Sequence, residues 1–532
     1  MRDPGDIGET DAGPVGPERD EGIAVRPRSD CQTGAAREES DASREQCMRI
    51  QAEDGFLGHP RAMGTLSVMQ LCWYFARLGM SSVLIFYLYA SGPQGLGLPK
   101  QEASQLVSLY FAVSVVCGVV GSYVADRILG PRRALLASRA VEALGYACLS
   151  IPGGGVAGYA TSQLLLCVAA MVGGRSAETL SGKLYARTDG SRRERGFAII
   201  YVIQNIGSMS PLLVGAIALG AGYSQAFGAC AAVAAAGTLL MAVTDRAFFG
   251  PIGLAPDDPM PRGKRLPFLV ELALATLAVV LAGAALLLHG LVSVGGLSGV
   301  VSTLTVLVPV GSVWHILHSR KVSDDERRRV RAWIPLFVVN TITFVVWMQG
   351  TTALSVYAET SVDRSLLGLE ISPATFQAIP GMFAIVWGAV VSLVWAKLGR
   401  RRPTPVAKFS LGSMVWGLGP LLMALSFAVV PAGAKASPLW LIGFYGLIIL
   451  GEAFTFSTGW SLSSAVAPRA FATQMVTVWG LSQSTGSALN TFVVTLWRPG
   501  FEIPYLLGLG LVAICAGAWL LHRSTALAER MR

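Results

Sequence analysis

Long apolar stretches, separated by Gly/Pro breaks and short charged loops, follow one another along most of the chain. A helix needs about 20 apolar residues to cross the hydrocarbon core of a bilayer. None of the stretches alternates apolar and polar residues as the strands of membrane barrels do. The pattern therefore predicts an all-α membrane protein with about fourteen transmembrane helices, at 64–90, 103–125, 132–152, 157–184, 196–219, 223–244, 267–289, 293–317, 333–358, 373–398, 406–430, 438–466, 471–497 and 503–522.

The composition agrees with this prediction. Of the 532 residues, 52% are hydrophobic and only 14% charged, with a mean hydropathy of +0.53, which excludes an ordinary soluble enzyme. Residues 1–58 differ, because they are rich in Gly, Pro and charged residues and poor in aromatic ones. We expect them to form a disordered cytoplasmic tail. They lack the pattern of a cleaved signal peptide, and Met48 or Met63 is an alternative start.

The basic residues predict the orientation in the membrane. Loops rich in Lys and Arg follow even-numbered predicted spans, whereas the loops on the other side are nearly uncharged. By the positive-inside rule, both termini lie in the cytoplasm and the protein spans the plasma (inner) membrane several times. The net charge of +9 then reflects topology, and no nucleic-acid partner is expected. The basic loops are 125–133, 182–196, 319–333 and 397–408.

Motifs for catalysis or metal binding are scarce. The eight cysteines include no C-x-x-C pair, and most of the five histidines lie at span ends or in tails. Partial matches at 177–185 and 508–513 lack the context of a phosphate-binding or dinucleotide-binding loop. We therefore expect no catalytic residues, no metal and no cofactor, and an enzyme is a poor hypothesis.

Ionisable residues within the predicted spans are informative, because each costs at least about 2.5 kcal/mol at a lipid-facing helix centre. Arg77 in the first span and Glu452 in the span 438–466 both lie about 20 Å along their helices at about 1.5 Å per residue. We expect both near the midplane, where they can face one cavity. Glu452 has no charged neighbour in its segment, so it needs a partner from another helix, a proton or a substrate ammonium.

Two further pairs are spaced for contact within a helix. Arg139 with Glu142 and Arg175 with Glu178 are separated by three residues, which places each pair on one helix face. Either pair can be a structural tie between helices or part of a functional site. Polar segments at 201–208 and 349–355 lie at mid-depth, where they indicate hydrogen bonds between helices or a water-filled substrate cavity.

Several segments resemble a known family. GSYVADRILGPRRALL (121–136) resembles the loop motif of the major facilitator superfamily, in the AD-R-x-LG-x-RR form typical of proton-dependent oligopeptide transporters. The second half echoes this loop in LVWAKLGRRR (393–402). The resemblance covers about 59–522 and implies two six-helix bundles with two extra helices between them. Its other segments are 59–66, 199–215, 356–383 and 451–468, and the implied divisions are 1–58, 59–250, 251–332 and 333–532.

The resemblance implies a secondary active transporter that moves small peptides or peptide-like compounds by alternating access between the two bundles. It also implies gating roles for the loop residues Asp126, Arg127, Gly130 and Arg132. Two alternatives stay open, an exporter of a peptide-like metabolite and a non-transporting sensor with a transporter fold. Whether protons are a second partner is open as well.

The charged positions depart from the family pattern. The family's E-x-x-E-R motif falls on Gln70, Trp73 and Tyr74, a family tyrosine falls on Arg77, and only one acid survives, Glu452, which in the family faces the peptide amino terminus. Proton coupling should therefore be altered, with Arg77 fixing an anionic substrate group and Glu452 or Glu178 as the titrating acid. Alternatively, Arg77 neutralises one of these glutamates. A family lysine falls on Gly174 and a family carboxylate on Met348, and the predicted substrate site comprises Gln70, Trp73, Tyr74, Arg77, Tyr110, Asn205, Gln349, Glu452 and Trp460.

Overall fold

A computed structural model of the protein describes residues 34–186, 189–256, 259–366, 368–398, 403–431, 433–468 and 471–531. Among these residues, those up to Gln46 form one unit and those from Cys47 onward form another. The first 33 residues of the predicted tail lie outside the described residues, as do Arg400, Arg401 and Arg402 of the second-half loop.

The first half of the chain folds into helices joined by short loops. In order they are α1 Gly34–Ala52, α2 Arg61–Tyr89, α3 Lys100–Val124, α4 Pro131–Ser150, α5 Gly155–Gly173, α6 Ser176–Lys183, α7 Gly190–Gly207, α8 Pro211–Ala221 and α9 Tyr223–Phe249. A single π-helical turn, Ala125–Leu129, extends α3. The pairs α5–α6 and α7–α8 each form one long, interrupted helix.

The second half is built in the same way. Its helices are α10 Arg262–Leu288, α11 Val294–His318, α12 Asp324–Thr351, α13 Ala353–Thr360, α14 Ile379–Leu398, α15 Pro405–Val429, α16 Leu439–Ala465, α17 Ala472–Val493, α18 Glu502–His522 and α19 Ser524–Arg530. A short antiparallel hairpin, β1 Ser365–Leu366 with β2 Leu369–Glu370, and a 3-10 turn, Pro373–Ala378, connect α13 to α14.

Every predicted span has a helix. Within the described part of the chain, twelve helices or interrupted helices are long and apolar enough to cross a membrane. The two remaining predictions, 132–152 and 471–497, correspond to α4 and α17. These helices are less apolar, because α4 carries four charged residues and α17 is rich in Ser, Thr, Gln and Asn.

The predicted disordered tail is wrong for residues 34–52, which form α1. The segment GAAREESDASREQCMRIQA is dominated by Ala, Arg, Glu and Gln, which favour helices. Its end is also held by packing, since Cys47 and Ile50 contact a hydrophobic cluster that contains Met63 and Leu66. The charge-rich composition therefore predicted disorder where the chain forms a short helix that packs through a few apolar residues.

The helices form two six-helix bundles with two extra helices between them, as predicted. Helices α2 to α9 pack mainly around two clusters of buried apolar residues, and α12 to α18 mainly around two others. Of the extra helices, α11 packs against α3 and α17. No residue of α10, which the structure describes in full, is buried, so this helix is peripheral.

Two ends of the molecule differ in charge. We call the end with the loops 125–133, 182–196 and 319–333 the basic face. The opposite end, with the loops 90–99 and 430–438, is the neutral face.

Candidate functional site

Arg77 lies in the middle of α2 without an acidic partner. Its guanidinium donates to the Ser114 hydroxyl at 3.3 Å, and its Cζ atom lies 5.5 Å from the ring centroid of Trp73 and 5.7 Å from that of Tyr110. Aromatic rings over a cation stabilise the charge without neutralising it. No carboxylate of the described residues pairs with Arg77, so neither Glu452 nor Glu178 neutralises it in this conformation.

The predicted pair on α4 forms, in contact with Trp73. Arg139 and Glu142 are buried and joined by an ion pair of 2.5 Å. Trp73 donates its Nε1 hydrogen to Glu142 at 3.1 Å, and its ring lies 4.0 Å from the Arg139 guanidinium carbon. Tyr74 packs edge-on against Trp73 at 4.9 Å. A carboxylate from α4 thus reaches the position at which α2 has lost one, and the sequence offered no signal for this contact between helices.

The helix is interrupted between α5 and α6, at the position of the family's lysine. Gly174 has a φ of +48°, and a Cβ atom there would lie 2.1 Å from the backbone nitrogen of Ser122. A side chain at this position does not fit this conformation, because it would require a strained backbone and overlap α3. The loss of the lysine and the close packing of the helices are therefore consistent with each other.

The predicted pair of Arg175 with Glu178 does not form. Arg175 lies in the break, before α6 begins, so the three-residue spacing no longer places both side chains on one helix face. Its guanidinium carbon instead lies 5.0 Å from the ring centroid of Trp460 on α16. Arg175 and Glu178 are both exposed, and Arg175 connects the first bundle with the second.

Glu452 lies half-buried in α16, and its carboxylate has no hydrogen-bond or ion-pair partner among the described residues. It lines a cavity of about 10 Å³, which holds about one water molecule. A carboxylate surrounded by aromatic rings is suited to an ammonium group. The other lining residues are Asn340, Phe344, Trp416, Thr455, Phe456, Trp460, Trp479 and Gln483.

A second cavity, of about 60 Å³, lies between the two bundles. Leu78 and Ser81 of α2 face Gly350 and Thr351 of α12 across it, and Tyr445 of α16 closes one side. Its polar side chains are hydroxyls, the indole of Trp347 and the amide of Gln377, which also bonds to Ser355 at 2.9 Å. Both bundles therefore contribute polar groups to one enclosed volume.

Two predicted site residues use their side-chain amides for hydrogen bonds within the protein in this conformation. Gln349 is fully buried and bonds to Asn490 at 2.7 Å and to the Tyr505 hydroxyl at 2.6 Å, which ties α12 to α17 and α18. It lies inside the helix packing, and a substrate contact would require these bonds to break. The side chain of Asn205 donates to the Tyr201 carbonyl of its own helix.

Gln70 is also buried, at 2% exposed. Its carbonyl oxygen has no hydrogen-bond partner among the described residues, which is unusual for a buried amide.

The loop motif at the basic face joins α3, α4 and α9. Gly130 has a φ of +82°, and a Cβ atom there would lie 2.4 Å from the Leu254 carbonyl oxygen. The buried Arg132 guanidinium donates to Asp245 at 2.9 Å and to the Gly250 carbonyl at 2.5 Å. These contacts hold the start of α4 against the end of α9. Asp126 and Arg127 lie in the π-helical turn that extends α3, and the Arg127 guanidinium carbon lies 5.4 Å from the Tyr123 ring centroid.

At the neutral face the bundles are tied together. Tyr89, at the end of α2, hydrogen-bonds to Glu359 of α13, and Lys100 Nζ lies 4.0 Å from the same carboxylate. Deeper in, the Asn490 amide donates to the Ser108 hydroxyl at 3.0 Å, which connects α17 to α3. These contacts therefore join the two bundles at and near this end of the molecule.

Comparisons with known proteins agree with this architecture. The sequence profile of the POT family matches residues 135–502. A di-/tripeptide transporter of Lactococcus lactis is 31% identical over 88% of this chain and 96% of its own length. An uncharacterized transporter of Bacillus subtilis, YclF, is 29% identical over 90% and 96%.

Solved structures give the same result. The peptide transporter POT in complex with sulfate superposes with a TM-score of 0.87 at 29% identity, covering 91% of this chain and 99% of that one. A POT family transporter in complex with 5-aminolevulinic acid gives a TM-score of 0.84 at 29% identity, covering 89% and 98%.

Proposed function

Because this chain belongs to the POT family of multi-pass membrane transporters, we propose that it moves small peptides or peptide-like compounds across the plasma membrane by alternating access, with altered proton coupling. Relatives support this substrate class: one transports di- and tripeptides, and others were solved with alafosfalin or with 5-aminolevulinic acid. By the charge of its loops, both termini face the cytoplasm. We place the bundles at 59–250 and 333–532, with the extra helices in 251–332.

One observation carries the proposal: two unpaired charges of opposite sign lie on helices of different bundles. Arg77 is on α2 and Glu452 on α16, and neither has an ionic partner among the described residues. A zwitterionic peptide has an ammonium group and a carboxylate, which complement these charges. In our proposal Glu452 binds the amino terminus and Arg77 the carboxylate, with Trp73, Tyr110 and Trp460 flanking them.

The coupling differs because three family acids are absent. Gln70, Trp73 and Met348 cannot carry a proton, and Glu142, which reaches Trp73, is already paired with Arg139. The acids left as proton carriers are Glu452 and the exposed Glu178. If Glu452 carries the proton and also binds the substrate amine, it cannot carry both inward together, because proton and ammonium compete for the same carboxylate.

The first test is uptake of a labelled dipeptide into proteoliposomes. We expect counterflow exchange of the dipeptide, and much less accumulation driven by an inward proton gradient than for the Lactococcus relative reconstituted in parallel. Strong uphill uptake that an uncoupler abolishes would contradict altered coupling and leave peptide transport intact. Binding without counterflow would favour a sensor, whereas exchange with net efflux only would favour an exporter.

The hydrogen bond between Tyr89 and Glu359 at the neutral face should act as a gate. Tyr89→Phe removes the hydrogen bond to Glu359, and a hydrogen bond to a charged group is worth about 1.5 to 3 kcal/mol. We therefore expect hydrogen exchange in 89–100 and 353–366 to rise about tenfold or more, with substrate affinity changed only a few-fold. Hydrogen-exchange mass spectrometry of purified protein measures both segments.

Tyr87→Phe is the matched control, because Tyr87 lies two residues earlier in α2 and contacts the rings of Tyr223 and Phe227. Equal hydrogen exchange in both variants would rule out the Tyr89–Glu359 hydrogen bond as a gate. At the basic face, the gating roles of Asp126, Arg127, Gly130 and Arg132 remain part of the proposal.

A further inference from the structure

A groove of about 940 Å³ lies at the basic face, between helices of the second bundle. One wall is the first turns of α12 and the other is the end of α18 with α19. Arginines line both walls: Arg328, Arg329 and Arg331 on α12, and Arg523 and Arg530 on the opposite side. Guanidinium groups in such a cluster suit the binding of anions such as carboxylate and phosphate.

The positive charge of the groove is largely uncompensated. Five arginines face only two acids, Asp325 and Glu529. Asp325 lies 3.9 Å from Arg328, with both side chains more than three-quarters exposed, so this contact is weak. Among the described residues, the remaining arginines have no carboxylate within ion-pair distance.

The second wall of the groove is held in place by packing. Leu527 and Met531, at 9% and 7% exposed, belong to a hydrophobic cluster with Val330 and Trp333. The end of the chain is therefore folded against α12. Both sets of arginines are thus held on packed helices.

The groove also has an apolar side, next to the end of the apolar helix α18. Trp519, in the last turn of the apolar helix α18, is 50% exposed, and Ala332 and Pro335 follow the arginines on α12. Tryptophan is enriched at the boundary between lipid headgroups and hydrocarbon. A ligand that fills this groove therefore meets cations at one end and an apolar surface at the other.

We propose that this groove binds the headgroup of an anionic phospholipid. The phosphate lies among the arginines, and the glycerol and first acyl carbons lie against Pro335 and Trp519. A soluble phosphate compound would use the arginines alone and leave the apolar side in contact with lipid. Basic pockets between membrane helices on the cytoplasmic side are a general means of binding anionic lipids.

The test is native mass spectrometry of the full-length protein in detergent with added phosphatidylglycerol or phosphatidylcholine. A surface arginine is worth about a fivefold gain in affinity for anionic membrane, from about 1 kcal/mol each. The double variant Arg329→Gln/Arg523→Gln should therefore bind phosphatidylglycerol about 5- to 25-fold more weakly. Phosphatidylcholine binding should not change.

The matched control is Arg193→Gln/Arg195→Gln, which removes two exposed charges from the basic face at the start of α7. It should bind phosphatidylglycerol like the parent protein. An equal loss of phosphatidylglycerol binding in both double variants would overturn the proposal in favour of non-specific attraction between anionic lipid and the whole basic face. Competition by inorganic phosphate at equal concentration would overturn it in favour of a soluble anion. Melting curves in detergent without lipid show that each variant is folded.

Discussion

Glu452→Gln is expected to weaken the binding of substrates with a free amino group by about 10- to 150-fold, the effect of losing about 1.5 to 3 kcal/mol from one hydrogen bond to a charged group. The substitution keeps the shape of the side chain and its hydrogen bonding but removes the charge that complements an ammonium. N-acetylated analogues have no ammonium, so their affinity should change little. Competition against a labelled dipeptide measures both classes.

Glu271→Gln is the matched control, because Glu271 is another acid within a predicted span but lies exposed on the peripheral helix α10. It should leave both classes of substrate unaffected. An equal loss for free and acetylated peptides, or a loss of folded protein with unchanged affinity, would show that Glu452 supports the structure and does not bind the amine.

Helix positions could be predicted from the sequence because the thickness of the bilayer sets the length of each apolar run. Helix ends were less predictable where they project beyond the apolar run. The span predicted at 333–358 begins at Asp324, where Ser323 and Glu326 form a capping box. The S-x-x-E spacing for this cap is visible in the sequence, but a search for apolar residues misses it.

The site was less predictable, because depth along a helix follows from the sequence and the direction of a side chain does not. Gln349 was predicted to face a substrate cavity, yet its side chain bonds to Asn490 and Tyr505, more than 140 residues away in sequence. The pair Arg139–Glu142 forms because α4 is continuous. The pair Arg175–Glu178 does not form, because Gly174 interrupts the helix.

The second large effect on substrate binding is expected at Arg77. Arg77→Gln is expected to weaken substrates with a free carboxylate by about 10- to 150-fold, again from the loss of about 1.5 to 3 kcal/mol. Amidated peptides should be nearly unaffected, because they carry no anionic group. The yield of folded protein should stay near that of the parent, since no carboxylate of the described residues pairs with Arg77. Competition with a dipeptide and its amide measures the difference.

The double variant Arg77→Gln/Glu452→Gln distinguishes two ligands from one ion pair. If each residue binds its own end of the substrate, the two losses should add, because groups without direct contact act independently. If the residues instead pair in another conformation, the double variant should recover the folding yield that each single variant loses. Ser114→Ala is the control, because it removes only the hydroxyl that accepts from Arg77 and keeps its charge. Its preference for free over amidated carboxylates should therefore persist.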